Sequence, residues 1–194
     1  MRLNREGLMT ISRNDAAAAL SDIENTQRRG MTLRGYRVGG PILMMWSLIW
    51  ATGYLTMGLA PPELWLPVWL GLDVVGVAGA LLLARAGKPA GAGAPPGMTW
   101  RLLGGSLALM IFALSVFWVM KPTEPAAAMA FPGLLIGVIY AVVGFWAAPR
   151  YAVIGALMFG LTLVGYVLFR PWLPFWMAAA SGALFLSGVW LWRR

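Results

Sequence analysis

Six stretches of about twenty residues carry almost no charge, and this pattern limits what the chain can fold into. Of its 194 residues, 60% are hydrophobic and only 11% are charged. A helix needs about 20 apolar residues to cross the hydrocarbon core of a bilayer, where no water satisfies an open backbone. We therefore predict an all-α bundle of six transmembrane helices. The six stretches are 41–60, 64–84, 102–120, 125–148, 151–169 and 173–192.

The charged and Gly- or Pro-rich segments between these stretches divide the chain into four parts. Residues 1–37 are predicted to be a cytoplasmic N-terminal segment, and residues 38–85 to contain transmembrane helices 1 and 2. A flexible cytoplasmic linker follows at 86–100, because this stretch is rich in Gly, Ala and Pro. Residues 101–194 then contain transmembrane helices 3–6.

The N-terminal segment is predicted to contain an amphipathic helix. The run 14–29 has four consecutive alanines and no Gly or Pro. Its apolar side chains recur at helical spacing and form a narrow stripe. The residues of this stripe are Ala16, Ala19, Leu20 and Ile23. Such a stripe fits the inner membrane leaflet, the same helix of a second copy, or a cytosolic partner.

Lysine and arginine predict how the chain is oriented, because short loops that carry them stay in the cytoplasm. With the N-terminus inside, all of the fifteen basic residues except Lys121 and Arg170 lie on the cytoplasmic side. We therefore predict that both termini are cytoplasmic. The net charge of +8 then reflects topology, and nucleic acid is not among the predicted partners.

The composition also argues against enzymatic chemistry. The chain has no His and no Cys, which removes the imidazole base, the thiolate nucleophile and the usual zinc and haem ligands. The one acidic residue at depth has no second carboxylate for acid–base work or for holding a metal. We predict a protein that is not an enzyme and has no catalytic residue, metal site or cofactor.

That acidic residue is Asp73, near the middle of the second stretch. An ionised carboxylate at the centre of a bilayer costs about 2.5–3.5 kcal/mol on insertion scales. Asp73 is either a structural residue, protonated or hydrogen-bonded, or the titrating group of a proton or cation path. Hydroxyls available to pair with it are those of Thr52, Tyr54, Tyr140, Thr162 and Tyr166. The predicted transport or proton-site residues are Asp73, Thr162, Tyr54 and Tyr140.

A weak internal repeat supports the interpretation of Asp73 as the titrating group of a proton or cation path. The run 71–76, Gly-Leu-Asp-Val-Val-Gly, matches 160–165, Gly-Leu-Thr-Leu-Val-Gly, and places Thr162 at the position equivalent to Asp73. Further matches keep the same order across three helices, which predicts a 3+3 repeat. Because three is odd, the two halves would be inverted in the membrane, an arrangement that transporters use.

Two functions remain open from the sequence. The first is a non-enzymatic scaffold, sensor or accessory subunit that acts through its basic N-terminal helix. Its predicted contacts to lipid headgroups or a partner are Arg28, Arg29, Arg34 and Arg37. The alternative is a small proton- or cation-coupled transporter or channel for an apolar or small substrate, which uses Asp73. The predicted partners are membrane lipids, a protein on the cytoplasmic side, and a second copy of the chain.

The N-terminal third has a recognisable pattern. Asn25-Thr26-Gln27-Arg28-Arg29 is followed by Arg34-Gly35-Tyr36, and the first apolar stretch has Trp46, Trp50, Gly53 and Tyr54 at regular spacing. Over residues 14–54 this pattern resembles uncharacterised bacterial inner-membrane proteins with six spans and a short N-terminal cytoplasmic helix. The resemblance implies a bacterial cytoplasmic membrane, and it implies no activity and no site residues.

Overall fold

The structure, a computed structural model, describes residues 13–87, 98–146 and 148–193. Of these residues 94% are helical and none forms a strand, and six of the helices are long and apolar enough to cross a membrane. The prediction of six long apolar helices is confirmed. Most of the predicted linker at 86–100 lies outside the described ranges. The helices are α1 Arg13–Leu59, α2 Trp65–Ala86, α3 Met98–Met120, α4 Pro125–Trp146, α5 Pro149–Leu168 and α6 Leu173–Trp192, with short 3₁₀ turns at Pro62–Leu64 and Arg170–Trp172.

Helix α1 is longer than the sequence suggests, because it joins the predicted N-terminal helix to the first apolar stretch. It runs for 47 residues and continues through Pro41 and the glycines before it. Gly40 would normally weaken a helix. Here it lies so close to α6 that a methyl group on it would come within 2.8 Å of the Gly188 carbonyl oxygen. Close packing therefore explains this glycine, and tertiary contact overrides its low helix propensity.

Helices α4 and α5 approach each other most closely at glycines. A methyl group on Gly155 would lie 2.5 Å from the Gly137 carbonyl oxygen and 2.9 Å from the Ala141 Cα. A methyl group on Gly144 would meet the backbone of Ala152. In a bilayer, where lipid is as apolar as Leu, such backbone contact is a main source of helix association.

The buried side chains come from α1, α4, α5 and α6, together with Ala148 just before α5, and form two clusters. The first cluster consists of Tyr36, Leu43, Ala148, Ile154, Met158, Leu184 and Leu191. The second consists of Tyr54, Ala126, Met129, Ala130, Leu173 and Met177. These four helices are therefore the packed core of the protein, which we call the four-helix core.

Helices α2 and α3 are peripheral to this core. Helix α2 packs on α1, where Gly76 meets the Trp46 ring and Gly53 meets the Trp69 ring. Helix α3 contributes no buried side chain among those described. Its ring contact with the core is Phe117 against Phe131 of α4, with the ring centroids 5.3 Å apart.

The helix packing does not follow the symmetry that a 3+3 repeat would give. In such a repeat the contact between α3 and α4 would match the contact between α1 and α6. Helices α1 and α6 pack along much of their length, whereas α3 and α4 hardly touch. The repeat therefore stays a prediction.

Candidate functional site

Asp73 lies on the side of α2 that packs against α1. It is half-buried, and it sits between Trp69 and Gly76, both of which contact α1. These three positions share one helix face, because residues three and four apart are neighbours on a helix surface. Within the described residues its carboxylate accepts no hydrogen bond and makes no ion pair. The structure therefore places Asp73 at a helix contact with its polar atoms unused.

The hydroxyl groups that could have paired with Asp73 are directed elsewhere. Four of the five donate a hydrogen bond to another acceptor, and three of these acceptors are backbone carbonyls. The bonds run from Thr52 to the Leu48 carbonyl at 2.9 Å, from Tyr54 to the Met129 carbonyl at 2.8 Å, from Thr162 to the Met158 carbonyl at 2.8 Å, and from Tyr166 to Glu124 Oε2 at 3.3 Å. The structure does not assemble a polar site around Asp73.

Tyr54 is a core residue that links α1 to α4. Its side chain is 1% exposed, and its ring meets the edges of the Trp50 and Trp69 rings at centroid distances of 5.8 and 5.6 Å. Its hydroxyl reaches the Met129 carbonyl in the turn of α4 that precedes Pro132. Tyr54 therefore has a structural role in this arrangement.

Thr162 is also enclosed in the core. It is 1% exposed and lies against Gly133 of α4. It lines a cavity of about 10 Å³ together with Trp50 and Ser181, whose own hydroxyl bonds to the Met177 carbonyl. That volume holds about one water molecule at most. The four-helix core therefore contains no polar passage at Thr162.

Tyr140 lies apart from Tyr54 and Thr162, at the end of the core formed by the first cluster. Its ring is 5.6 Å from that of Tyr151, which in turn is 5.9 Å from that of Tyr36. The four predicted transport residues are therefore distributed over the α1–α2 contact, two parts of the core and this tyrosine group.

The first part of α1 extends beyond the bundle as an arm, defined here as residues 13–35. Among its described side chains every one from 14 to 35 is exposed except Thr32, which is intermediate. Leu20 is 63% exposed and Ile23 53%. Tyr36 is the first buried residue of α1. At 1.5 Å per residue the arm is about 34 Å long, so its apolar stripe lies well away from the core.

The arginines predicted as headgroup or partner contacts lie in and just after this arm. Arg29, Arg34 and Arg37 are exposed. Arg28 belongs to α1, and its side chain lies outside the described atoms. Their exposure leaves Arg29, Arg34 and Arg37 free to meet a charged surface.

A basic group that the sequence analysis did not single out occurs where the arm meets the bundle. The Arg150 guanidinium lies 5.0 Å from the centre of the Tyr36 ring and 4.9 Å from that of Trp190. Its Nη1 donates to the Trp190 carbonyl at 3.4 Å, and the Arg150 backbone N–H donates to the Tyr36 hydroxyl at 3.2 Å. The only signal in the sequence was the position of Arg150 directly after Pro149, at the start of a helix.

The opposite end of the bundle contains a second arginine, in a different environment. Arg170 forms an ion pair with Glu124 at 3.1 Å and lies 4.5 Å above the Tyr166 ring. The same carboxylate accepts a hydrogen bond from the Tyr166 hydroxyl. This group joins the start of α4 to the loop after α5.

In the described ranges no three acidic, His or Cys side chains come close enough to hold a metal ion. Searches against family models, curated proteins and solved structures find no match to this chain. The function must therefore be argued from the geometry, whose most prominent features are the exposed arm and the two arginine groups.

Proposed function

We propose that this protein is a non-enzymatic scaffold or accessory subunit of a bacterial cytoplasmic membrane, which presents its N-terminal arm to a partner in the cytoplasm. The observation that carries the proposal is the continuity of α1, whose first part leaves the bundle with its apolar stripe uncovered. The distribution of Lys and Arg supports cytoplasmic termini. The six apolar helices support insertion in a membrane.

The continuity of α1 favours a protein partner over the membrane surface. A helix that continues from a membrane-crossing helix leads away from the bilayer, unless it bends sharply. Sharp bends are most common at Pro, and Pro41, the proline inside α1, lies within the bundle, after the arm has ended. The helix continues without a break through Gly30 and Gly35 of the arm. Leu20 and Ile23 then face water in the isolated chain, and a partner helix with a matching apolar stripe would cover them.

The absence of cysteine from the sequence allows a direct test of this proposal. Single-cysteine variants Ile23→Cys, on the stripe, and Asp22→Cys, about a quarter turn further round, report on two faces of one helix. We expect a bulky water-soluble maleimide, applied to inside-out native membranes, to label Ile23→Cys several times more slowly than Asp22→Cys. The two labelling rates should become equal in the purified chain reconstituted into lipid alone.

Other results of the labelling would contradict the proposal. Equal rates in native membranes would mean that nothing covers the stripe. Slow labelling of Ile23→Cys that persists in pure lipid vesicles would place the stripe on the membrane. Disulfide formation between Ile23→Cys chains in those vesicles would instead identify a second copy as the partner.

A transporter or channel is the second candidate function, and one observation favours it. Asp73 is a half-buried carboxylate without a hydrogen-bond partner among the described residues, in the middle of a helix apolar enough to span a membrane. Intramembrane carboxylates of this kind commonly mark ion or proton pathways. In this proposal the two halves of the inverted repeat form the transporter. Helix α2 moves against α1, and Asp73 carries the proton or cation.

A further inference from the structure

The guanidinium of Arg150 is held firmly in place but retains most of its hydrogen-bonding capacity. Two rings, Tyr36 and Trp190, lie within 5.0 Å of its centre. A guanidinium has five N–H donors, and the side chain uses one of its nitrogens on the Trp190 carbonyl. The remaining donors are available to an acceptor from outside the chain, because the residue is only half-buried.

No carboxylate lies near this guanidinium within the described parts of the chain. The nearest acidic residue along α1 is Glu24, twelve residues before Tyr36 and so about 18 Å away along the helix. Asp73 lies mid-way along α2. Glu63 precedes α2 and Glu124 precedes α4, both at the opposite end of the bundle. Among the described residues, therefore, no carboxylate neutralises the positive charge of Arg150.

Two further arginines follow the residues that hold the Arg150 side chain. Arg37 comes directly after Tyr36 in α1, and Arg193 is three residues after Trp190, just past the end of α6. Both are exposed. The close approach of α1 to the end of α6, at Gly40 and the backbone of Trp192, brings these segments to the same level.

The contrast with Arg170 shows that this arrangement is particular to one end. Arg170 also lies over a tyrosine ring, but Glu124 neutralises it at 3.1 Å. Within the described ranges Arg170 thus has a carboxylate counter-ion, and Arg150 has none.

We propose that Arg150, with Arg37 and Arg193, binds the phosphate group of an anionic lipid headgroup. Tyr and Trp side chains such as Tyr36 and Trp190 are typical of the headgroup level of a membrane. Arg matches a phosphate with two parallel hydrogen bonds and stacks on aromatic rings, and basic pockets between membrane helices recognise lipid phosphates. This site lies on the bundle and is independent of the partner proposed for the arm.

The test is a lipid titration of the full-length protein in a neutral detergent. We expect phosphatidylglycerol to bind more tightly than phosphatidylcholine and to raise the unfolding temperature of the unmodified protein, because a ligand of the folded state stabilises it. Arg150→Gln should weaken the binding of phosphatidylglycerol about tenfold, the effect of losing one charge-assisted contact. Arg85→Gln, at the exposed end of α2, removes the same charge and should change binding less than about twofold.

Several outcomes would overturn the proposal. Equal binding of the two lipids, or equal loss of affinity in Arg150→Gln and Arg85→Gln, would reduce the site to a general basic surface. Inorganic phosphate that binds as tightly as phosphatidylglycerol would rule out a lipid as the ligand. Should Arg150→Gln fail to fold, Arg150→Lys keeps the charge but loses the paired donors, and unchanged binding in that variant would refute the proposed geometry.

Discussion

The four-helix core and the peripheral helices α2 and α3 are built from similar apolar sequences, yet they are packed very differently. Both regions contain glycines, but Gly137, Gly144 and Gly155 of α4 and α5 meet a neighbouring backbone, whereas Gly104 and Gly105 of α3 have nothing within 4 Å. In the apolar stretches of α4, α5 and α6, 28% of the residues are buried. The share is 6% in α2, and none of the described residues in the stretch of α3 is buried. Hydrophobicity alone therefore does not determine which helices associate.

The physical reason for this difference in packing is that helices as apolar as these are suited to lipid as their solvent. In lipid an exposed Leu loses nothing, so apolar side chains give no preference for a protein neighbour over an acyl chain. Close backbone approach and interhelical hydrogen bonds do give such a preference. The core has both, at Gly155 and between Tyr54 and Met129, whereas the described side chains of α3 make one ring contact with α4.

The largest expected effect is on the contact between α4 and α5. Gly155→Val would force its new atoms into the backbone of Gly137 and Ala141, and we expect it to lower the free energy of unfolding by about 3 kcal/mol. Gly160→Val on the same helix faces open space and should change it by less than about 0.5 kcal/mol. Unfolding in mixed micelles gives the free energy of unfolding of both variants. Equal values would mean that the α4–α5 contact does not stabilise the core.

A large-to-small substitution compares the core with α3 directly. Ile154 is 1% exposed in α5, and Ile111 is 56% exposed in α3. We expect Ile154→Ala to cost about 2 kcal/mol, because it leaves a cavity that the helices cannot close. Ile111→Ala should cost less than about 0.5 kcal/mol. A comparable loss at Ile111 would show that α3 is packed against a partner in the folded protein.

The hydrogen bond across α1 and α4 should have a smaller effect. Tyr54→Phe removes the bond to the Met129 carbonyl and should lower the free energy of unfolding by about 1 kcal/mol. Tyr140→Phe is the matched control, since the Tyr140 hydroxyl has no partner among the described residues, and its stability should stay unchanged. Equal effects of the two substitutions would argue against the bond.

Asp73→Asn should have the smallest effect on the fold, less than about 0.5 kcal/mol, because the carboxylate has no partner to lose. Its effect on transport decides between the two proposed functions. Proton or cation flux in proteoliposomes that is present in the unmodified protein and absent in Asp73→Asn would establish the transporter. Unchanged flux would exclude Asp73 from the mechanism, and a well-folded protein without flux would leave the scaffold.

The core and the candidate site differ in how far the sequence predicted them. Helix positions followed from charge spacing alone, and α2 and α4–α6 lie within a few residues of the predicted stretches. The union of the arm with the first apolar stretch was not predicted, because Gly40 and Pro41 indicate a break unless the contact with α6 is known. Contacts between helices also decide the candidate site: Tyr54, Tyr140 and Thr162 were predicted to act with Asp73, whereas the structure separates them.

By itself the sequence determined the number and length of the apolar helices, since these depend on local composition and on the thickness of a membrane. It also determined that no His or Cys chemistry is available. Only the tertiary structure decided which helices form the core, that Asp73 lies at the α1–α2 contact, and that Arg170 has a carboxylate partner while Arg150 has none in the described ranges. These depend on contacts between residues on different helices, which for Tyr36 and Arg150 are more than a hundred positions apart, and chain composition does not encode such contacts.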